Sequence, residues 1–308
     1  MRILKITISF IVTYFILGQQ NVNAQYYWYG YGYGESDVTV ELGLSGGIMN
    51  GMTDIGGSKK GKANAGFLND FTTKNTKLNA GVYLSATYRD VIAGRIEANF
   101  GNIEATDSSL KGTKNAHALG RFDRNLSFKT SIFNTNAIME FHALLLKDYT
   151  DYDPPRFSPY VLAGVGVTKF NPKANLNGNW YDLRPLRLEG QGFEEYPDRQ
   201  EYKTSTFTLP FGVGLRYDLG PLVNLRVELV RYWTNTDYLD DAHYGDWVDP
   251  ALFYKYLTPG SAAIATQLYN RSTTINPPRN TRPRANEKDN DTFWTFNIKI
   301  GYKFNRRL

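Results

Sequence analysis

The stretch FWTFNIKIGYKF, residues 293–304, alternates without a break. Trp294, Phe296, Ile298, Ile300, Tyr302 and Phe304 fall on one side, and Thr295, Asn297, Lys299, Gly301 and Lys303 on the other. A repeat of two is that of an extended strand. A helix would set both lysines beside apolar neighbours and scatter the aromatic rings. A ribbon with one apolar and one polar face has few ways to fold, and repetition of the pattern narrows them further.

It recurs seven more times. In VTVELGLSG, Val38, Val40, Leu42 and Leu44 oppose Thr39, Glu41, Gly43 and Ser45. LNAGVYLSATYR (78–89) and IAGRIEANFG (92–101) behave alike, the second setting Ile96, Ala98 and Phe100 against Arg95, Glu97 and Asn99. Further runs place Ala137, Met139 and Phe141 opposite Asn136, Glu140 and His142, and align Val161, Ala163, Val165 and Val167. Phe207 to Tyr217 alternates against Thr208, Gly212, Gly214 and Arg216, and Val223 to Leu229 against Asn224, Arg226 and Glu228. Pro210 is the discord, because proline removes a ladder donor, and it suggests a bulge.

Eight strands of about ten residues match an antiparallel transmembrane β-barrel, which needs an even count and strands of that length. Short connections, YRDVI and YDLGPL, alternate with long ones near 49–77, 104–127, 171–203 and 235–291; LKDYTDYDPPRFS is intermediate. That arrangement predicts short periplasmic turns, long extracellular loops and both termini in the periplasm of a Gram-negative cell, the barrel sitting in outer-membrane lipid. A soluble β-sandwich is the rival fold. Against it, Tyr88, Tyr217, Trp294, Tyr302 and Phe304 stand at strand ends on the apolar face, as in an interfacial girdle.

Composition agrees. The 308 residues include 22 Tyr, 18 Phe and 28 Gly, and no cysteine, which removes disulfides and zinc–thiolate sites. The formal charge of +5 is not a nucleic-acid signature. Residues 1–24 read as a signal peptide: Arg2 and Lys5, an apolar run, then Val22-Asn23-Ala24 before a cleavage point. Residues 25–37 form a Tyr/Gly-rich periplasmic leader, 38–304 the barrel and 305–308 a short tail.

The inward face carries Glu41, Arg95, Glu97, Glu140, Arg216, Arg226, Glu228 and Lys299. Buried charges demand partners. The reading is a salt-bridge network that plugs the lumen, with a proton or ion path as the alternative. No G-x-S-x-G, H-E-x-x-H or phosphate-binding loop occurs, and the three histidines show no zinc spacing. No catalytic, cofactor-binding or metal-binding set is expected, and the protein reads as no enzyme. A Ser–His pair of the kind used by membrane lipid hydrolases stays open as an alternative.

The segment TNTDYLDDAHYGD, 234–246, is the densest acidic cluster. Asp237, Asp240, Asp241 and Asp246 lack the spacing of an EF-hand loop. They are expected to cap turn amides or pair with loop cations such as Arg121, Arg124 or Lys59; calcium binding is the alternative.

Several of these stretches resemble one family. ELGLSGGIMNGMTDIGG, LNAGVYLSATYRDVIAGRIEANFGNIEATDS, RFDRNLSFKTSI and TDYLDD with Tyr244 and Asp246 together resemble the PorG-like outer-membrane barrels of Bacteroidetes, over residues 36–304. Asn50 to Gly57, Tyr88-Arg89-Asp90 and Arg121 to Phe128 are the most specific parts. The resemblance implies a component of the type IX secretion system, partnered by a periplasmic ring of a lipoprotein and its companion. Separately, the terminal strand, with Gly301, Tyr302 and Phe304, resembles the signal that outer-membrane barrels present to the barrel-insertion machinery. Stand-alone paralogues acting as channel, receptor or lipid-modifying enzyme are the alternative.

Overall fold

The computed structural model describes residues 37–57, 59, 75–146, 155–272, 283–287 and 289–304. The expected signal peptide, nearly all of the leader and the tail lie outside these residues.

Eight long strands close on themselves: β1 (Val38–Met52), β2 (Lys77–Tyr88), β3 (Ile92–Thr106), β4 (Ser127–Phe141), β5 (Phe157–Leu176), β7 (Ser205–Asp218), β8 (Val223–Thr234) and β9 (Thr292–Lys303). Each pairs antiparallel with its neighbours, and β9 returns to β1 from Glu41↔Lys303 to Met52↔Thr292. Closure leaves no unpaired edge, the condition for strands in lipid. The β2–β3 turn has positive φ at Arg89 and Asp90, and Val91 N donates to Tyr88 O at 3.0 Å. Two left-handed central residues make the primed hairpin turn whose twist fits the strands.

The exposure pattern is inverted relative to a water-soluble protein. Ile96 is 63% exposed while its neighbour Arg95 is 2% exposed. Outward positions of β5 from Phe157 to Val167 are Phe157, Pro159, Val161, Ala163, Val165 and Val167. Ten residue steps of about 3.3 Å, tilted about 40°, cover roughly 25 Å, the height of a hydrocarbon band. Tyr88, Tyr217, Tyr302 and Phe304 are exposed at the short-turn end. Trp294 is not part of that girdle: it lies near the other end of β9 and is 3% exposed.

Pro210 makes no bulge. The β5–β7 register is the same on both sides of it, at Ala163↔Phe211 and Gly166↔Thr208, and the ladder lapses only opposite Leu209 and Pro210. The missing N–H costs pairing without inserting a residue.

The strands and loops at the long-loop end differ from the sequence reading. The strands run further than expected, and a ninth, β6 (Asn179–Asp182), folds back on β5 through Asn177 and Gly178, both with positive φ. Helix α1 (Ala116–Arg124) is capped by Asn115 Oδ1, which accepts from His117 N and Ala118 N, and ends at left-handed Asn125 with Arg121 and Arg124 in its last turn. Helices α2 (Ala251–Tyr256) and α3 (Pro259–Leu268) occupy the last long connection. Leu186, Leu188, Phe193, Val248, Phe253, Ala262 and Leu268 form their own core. These connections therefore build a folded cap.

Candidate functional site

Inward side chains of five strands meet at mid-barrel. Arg95 grips Glu228 with both terminal nitrogens, Nη1–Oε1 at 2.5 Å and Nη2–Oε2 at 3.0 Å. Its Nη1 also lies 2.5 Å from Glu140 Oε1, and its Nε 3.2 Å from Glu97 Oε2. Arg226 donates to Glu140 at 2.6 Å and Glu41 at 2.9 Å. Lys299 Nζ reaches Glu97 at 2.7 Å and Glu228 at 2.8 Å. Four carboxylates thus meet three cations.

Neutral donors take up the remaining acceptor capacity. Tyr83 Oη donates to Glu41 and Tyr160 Oη to Glu228, each at 2.5 Å, and Asn224 Nδ2 donates to Glu41 at 2.6 Å. The Tyr83 ring lies 5.4–5.7 Å from Arg95, Arg226 and Lys299, within cation–π range. Glycines make room: a Cβ at Gly43 would overlap the Tyr83 ring, and one at Gly214 the Tyr160 ring. Gly301 faces Glu41 and the Tyr83 hydroxyl for the same reason. The interior of an eight-stranded barrel is just wide enough for such filling.

Arg216 is the expected member that stands apart. It lies toward the short-turn end, 3.3 Å from Asp90 and 3.7 Å from Asp218, and Lys303 joins Asp218 at 2.8 Å. Strand parity gives the face of a residue and not its height; the height of Arg216 follows instead from its place directly before the YDLGPL turn. Alternation puts Tyr83 on the polar face, but parity does not show which carboxylate its hydroxyl reaches.

A Ser–His pair does occur. His142 Nδ1 lies 3.0 Å from Ser158 Oγ, and His142 Nε2 lies 3.3 Å from Glu140 Oε2. The order serine, imidazole, carboxylate is that of a nucleophilic relay. Ser158 is 1% exposed and Glu140 is held by two arginines, so no ester reaches Oγ without opening the barrel floor.

The acidic segment sits in the cap. Asp240 accepts from the backbone amides of Ile55 and Ala242, each at 3.0 Å. Asp241 accepts from Tyr202 Oη at 2.6 Å, Asp237 lies 2.8 Å from His243 Nδ1, and Asp246 pairs with Arg199 at 2.5 Å. Of the named cations, Arg124 binds Asp107 at 2.7 Å and its charge also acts on Asp240, Arg121 donates to Gly56 O at 2.5 Å, and Lys59 donates to Lys111 O at 2.7 Å. Burial raises Asp240 to about 8, helped by the Asp54 charge, and raises Asp241 to about 7 against the pull of Arg284. Among the described residues, no group of three His, Cys, Asp or Glu side chains is placed to hold a metal ion.

The cap joins the stretches that carried the family resemblance. Arg124 Nη2 donates to Asp54 O at 2.6 Å, Gly56 N donates to Asp107 at 2.8 Å, and Asp240 holds Ile55. Residues 50–57, 121–128 and 237–241 thus form one polar lock over the barrel mouth.

The chain is a transmembrane β-barrel. Ladder closure and the apolar outer wall decide this. No family model matches the chain, and no curated protein matches it. Solved structures of similar architecture include Neisserial surface protein A, at 10% identity and TM-score 0.36, covering 88% of this chain and 100% of that one. Ail of Yersinia pestis, in complex with the heparin analogue sucrose octasulfate, gives 9% and 0.34 over 87% and 97%. OprG of Pseudomonas aeruginosa gives 13% and 0.35 over 86% and 96%. The likeness is one of architecture.

Proposed function

We propose that this barrel is a non-enzymatic outer-membrane component of the type IX secretion machinery, anchoring a periplasmic ring at the membrane. Both termini and the short turns then face the periplasm, and the cap faces outward. The observation that carries the reading is the filled lumen. A barrel whose centre is filled by a web of Arg95, Arg226, Lys299 and four glutamates is suited to holding position, not to passing solutes. The resemblance of residues 36–304 to the PorG-like barrels supplies the machine and the partner class. The insertion machinery is the other partner, reading the strand that ends in Tyr302 and Phe304.

The test is affinity purification of the tagged protein from native outer membranes after mild crosslinking. Recovery of a periplasmic lipoprotein and its companion in stoichiometric yield is the expected result. A barrel that comes out alone, with cargo export normal in its deletion strain, would reject the secretion role. Orientation is tested separately: a protease site inserted at 273–282 should be cut in intact cells, and one at 150–154 should not.

A second reading has its own support. The folded cap, with its separate apolar core, is more than an anchor needs and favours a surface receptor. A barrel recovered alone, with a soluble ligand retained by the cap, would establish that reading instead.

A further inference from the structure

One row of outward positions crosses from apolar to basic at the upper edge of the lipid band. In register across β3, β4, β5 and β7 stand Phe100, Phe133, Lys169 and Ser205. The row toward the short turns is Ala98, Thr135, Val167 and Phe207; the row toward the cap is Asn102, Ser131 and Asn171. On β4 and β5 the outward face therefore turns from apolar to polar at this row, just past the Phe157–Val167 band.

A groove of about 380 Å³ opens there: Phe100, Phe133 and Phe170 line it together with Lys169, Thr204 and Ser205. Phe100 is 56% and Phe133 47% exposed. The neighbouring cations are engaged: Lys129 lies over the Trp180 ring at 5.5 Å, and Lys173 pairs with Asp182 at 3.0 Å. Lys169 is exposed and makes no ion pair among the described residues.

We propose that this groove binds a phosphorylated lipid of the leaflet on the cap side, with an acyl chain on Phe100 and Phe133 and its phosphate at Lys169. A lysine with a hydrophobic stem and a charged head suits that boundary, because the stem lies along the apolar wall while the ammonium meets the phosphate. The hydroxyls of Thr204 and Ser205 supply donors for the remaining phosphate oxygens. Apolar floor and cationic lip match the two halves of one amphiphile. The inference depends on embedding in a bilayer. It depends on neither the orientation nor the secretion role, and its failure leaves both standing.

The test uses the full barrel in nanodiscs doped with lipid A or with enzymatically dephosphorylated lipid A, followed by detergent extraction and native mass spectrometry. Wild type should retain a phosphorylated lipid through the wash. Lys169→Gln should retain about five-fold less, the scale of one basic residue at a membrane surface. Lys169→Arg should restore retention, and Phe133→Ala should lower it with the charge intact. Heat-modifiable gel mobility verifies that each variant is folded. Equal retention by wild type and Lys169→Gln, or equal retention of the dephosphorylated lipid, overturns the proposal. So does displacement of the lipid by inorganic phosphate alone, which would make the groove a free-anion site.

Discussion

Arg226 has no exposure to water, and its two carboxylate partners, Glu140 and Glu41, are equally sealed. Removing Arg226 leaves Glu41 without its cation and Glu140 with Arg95 alone. Arg226→Leu should cost on the order of 3–5 kcal/mol, read as an earlier loss of the folded band on heated gels; Glu97→Gln, which leaves three carboxylates on three cations, should cost less. Arg216→Leu should cost far less, since its partners Asp90 and Asp218 retain contact with solvent. Equal losses for Arg226→Leu and Arg216→Leu would contradict a centre confined to mid-barrel. At Ser158 a fluorophosphonate should give no label on the folded protein, because the hydroxyl is buried beneath His142. Labelling at Ser158 would revive the hydrolase alternative. The sequence showed that Arg95, Glu97, Arg226 and Glu228 share a face, because parity alone settles that. Which partner each chooses depends on height along the barrel axis and on tyrosine reach, which no single strand records.

Strand β9 carries the alternation that opened the reading, and it is the strand that closes the ring. Deleting 299–308 should abolish insertion, since β1 and β8 would be left with exposed edges in lipid; deleting 305–308 should be tolerated. Membrane fractionation checks both. Strand β6 went unread although Asn177-Gly178 is a hairpin signal, because β6 is only four residues long. Helices α1 and α3 hid in segments read as loops, their caps Asn115 and Thr258 being ordinary turn residues as well. The cap these elements form has a pH dependence of definite sign. Above the ordinary carboxylate range an unfolded chain releases protons that the folded cap still holds at Asp241 and Asp240. Its stability is therefore full in acid and falls as pH rises toward about 7 and about 8. Limited proteolysis in the cap should be faster at about pH 8.5 than at about pH 5.5. Greater resistance at the higher pH would reverse that sign.

As a whole the protein is apolar outside, ionic inside and lidded at one end. An ionic centre is tolerable only while every member is paired, and pairing requires that the lumen be full. The same packing that stabilises the barrel closes it. Glycines opposite Tyr83 and Tyr160 let the rings complete the seal. The measurement that tests this most directly is conductance of the purified barrel in a planar lipid bilayer at neutral pH. Absence of unitary current steps from the wild type is the expected result, with steps emerging when Tyr83 and Arg226 are together replaced by alanine. Reproducible steps from the wild type would mean that the lumen is an open, wet path and would contradict the account.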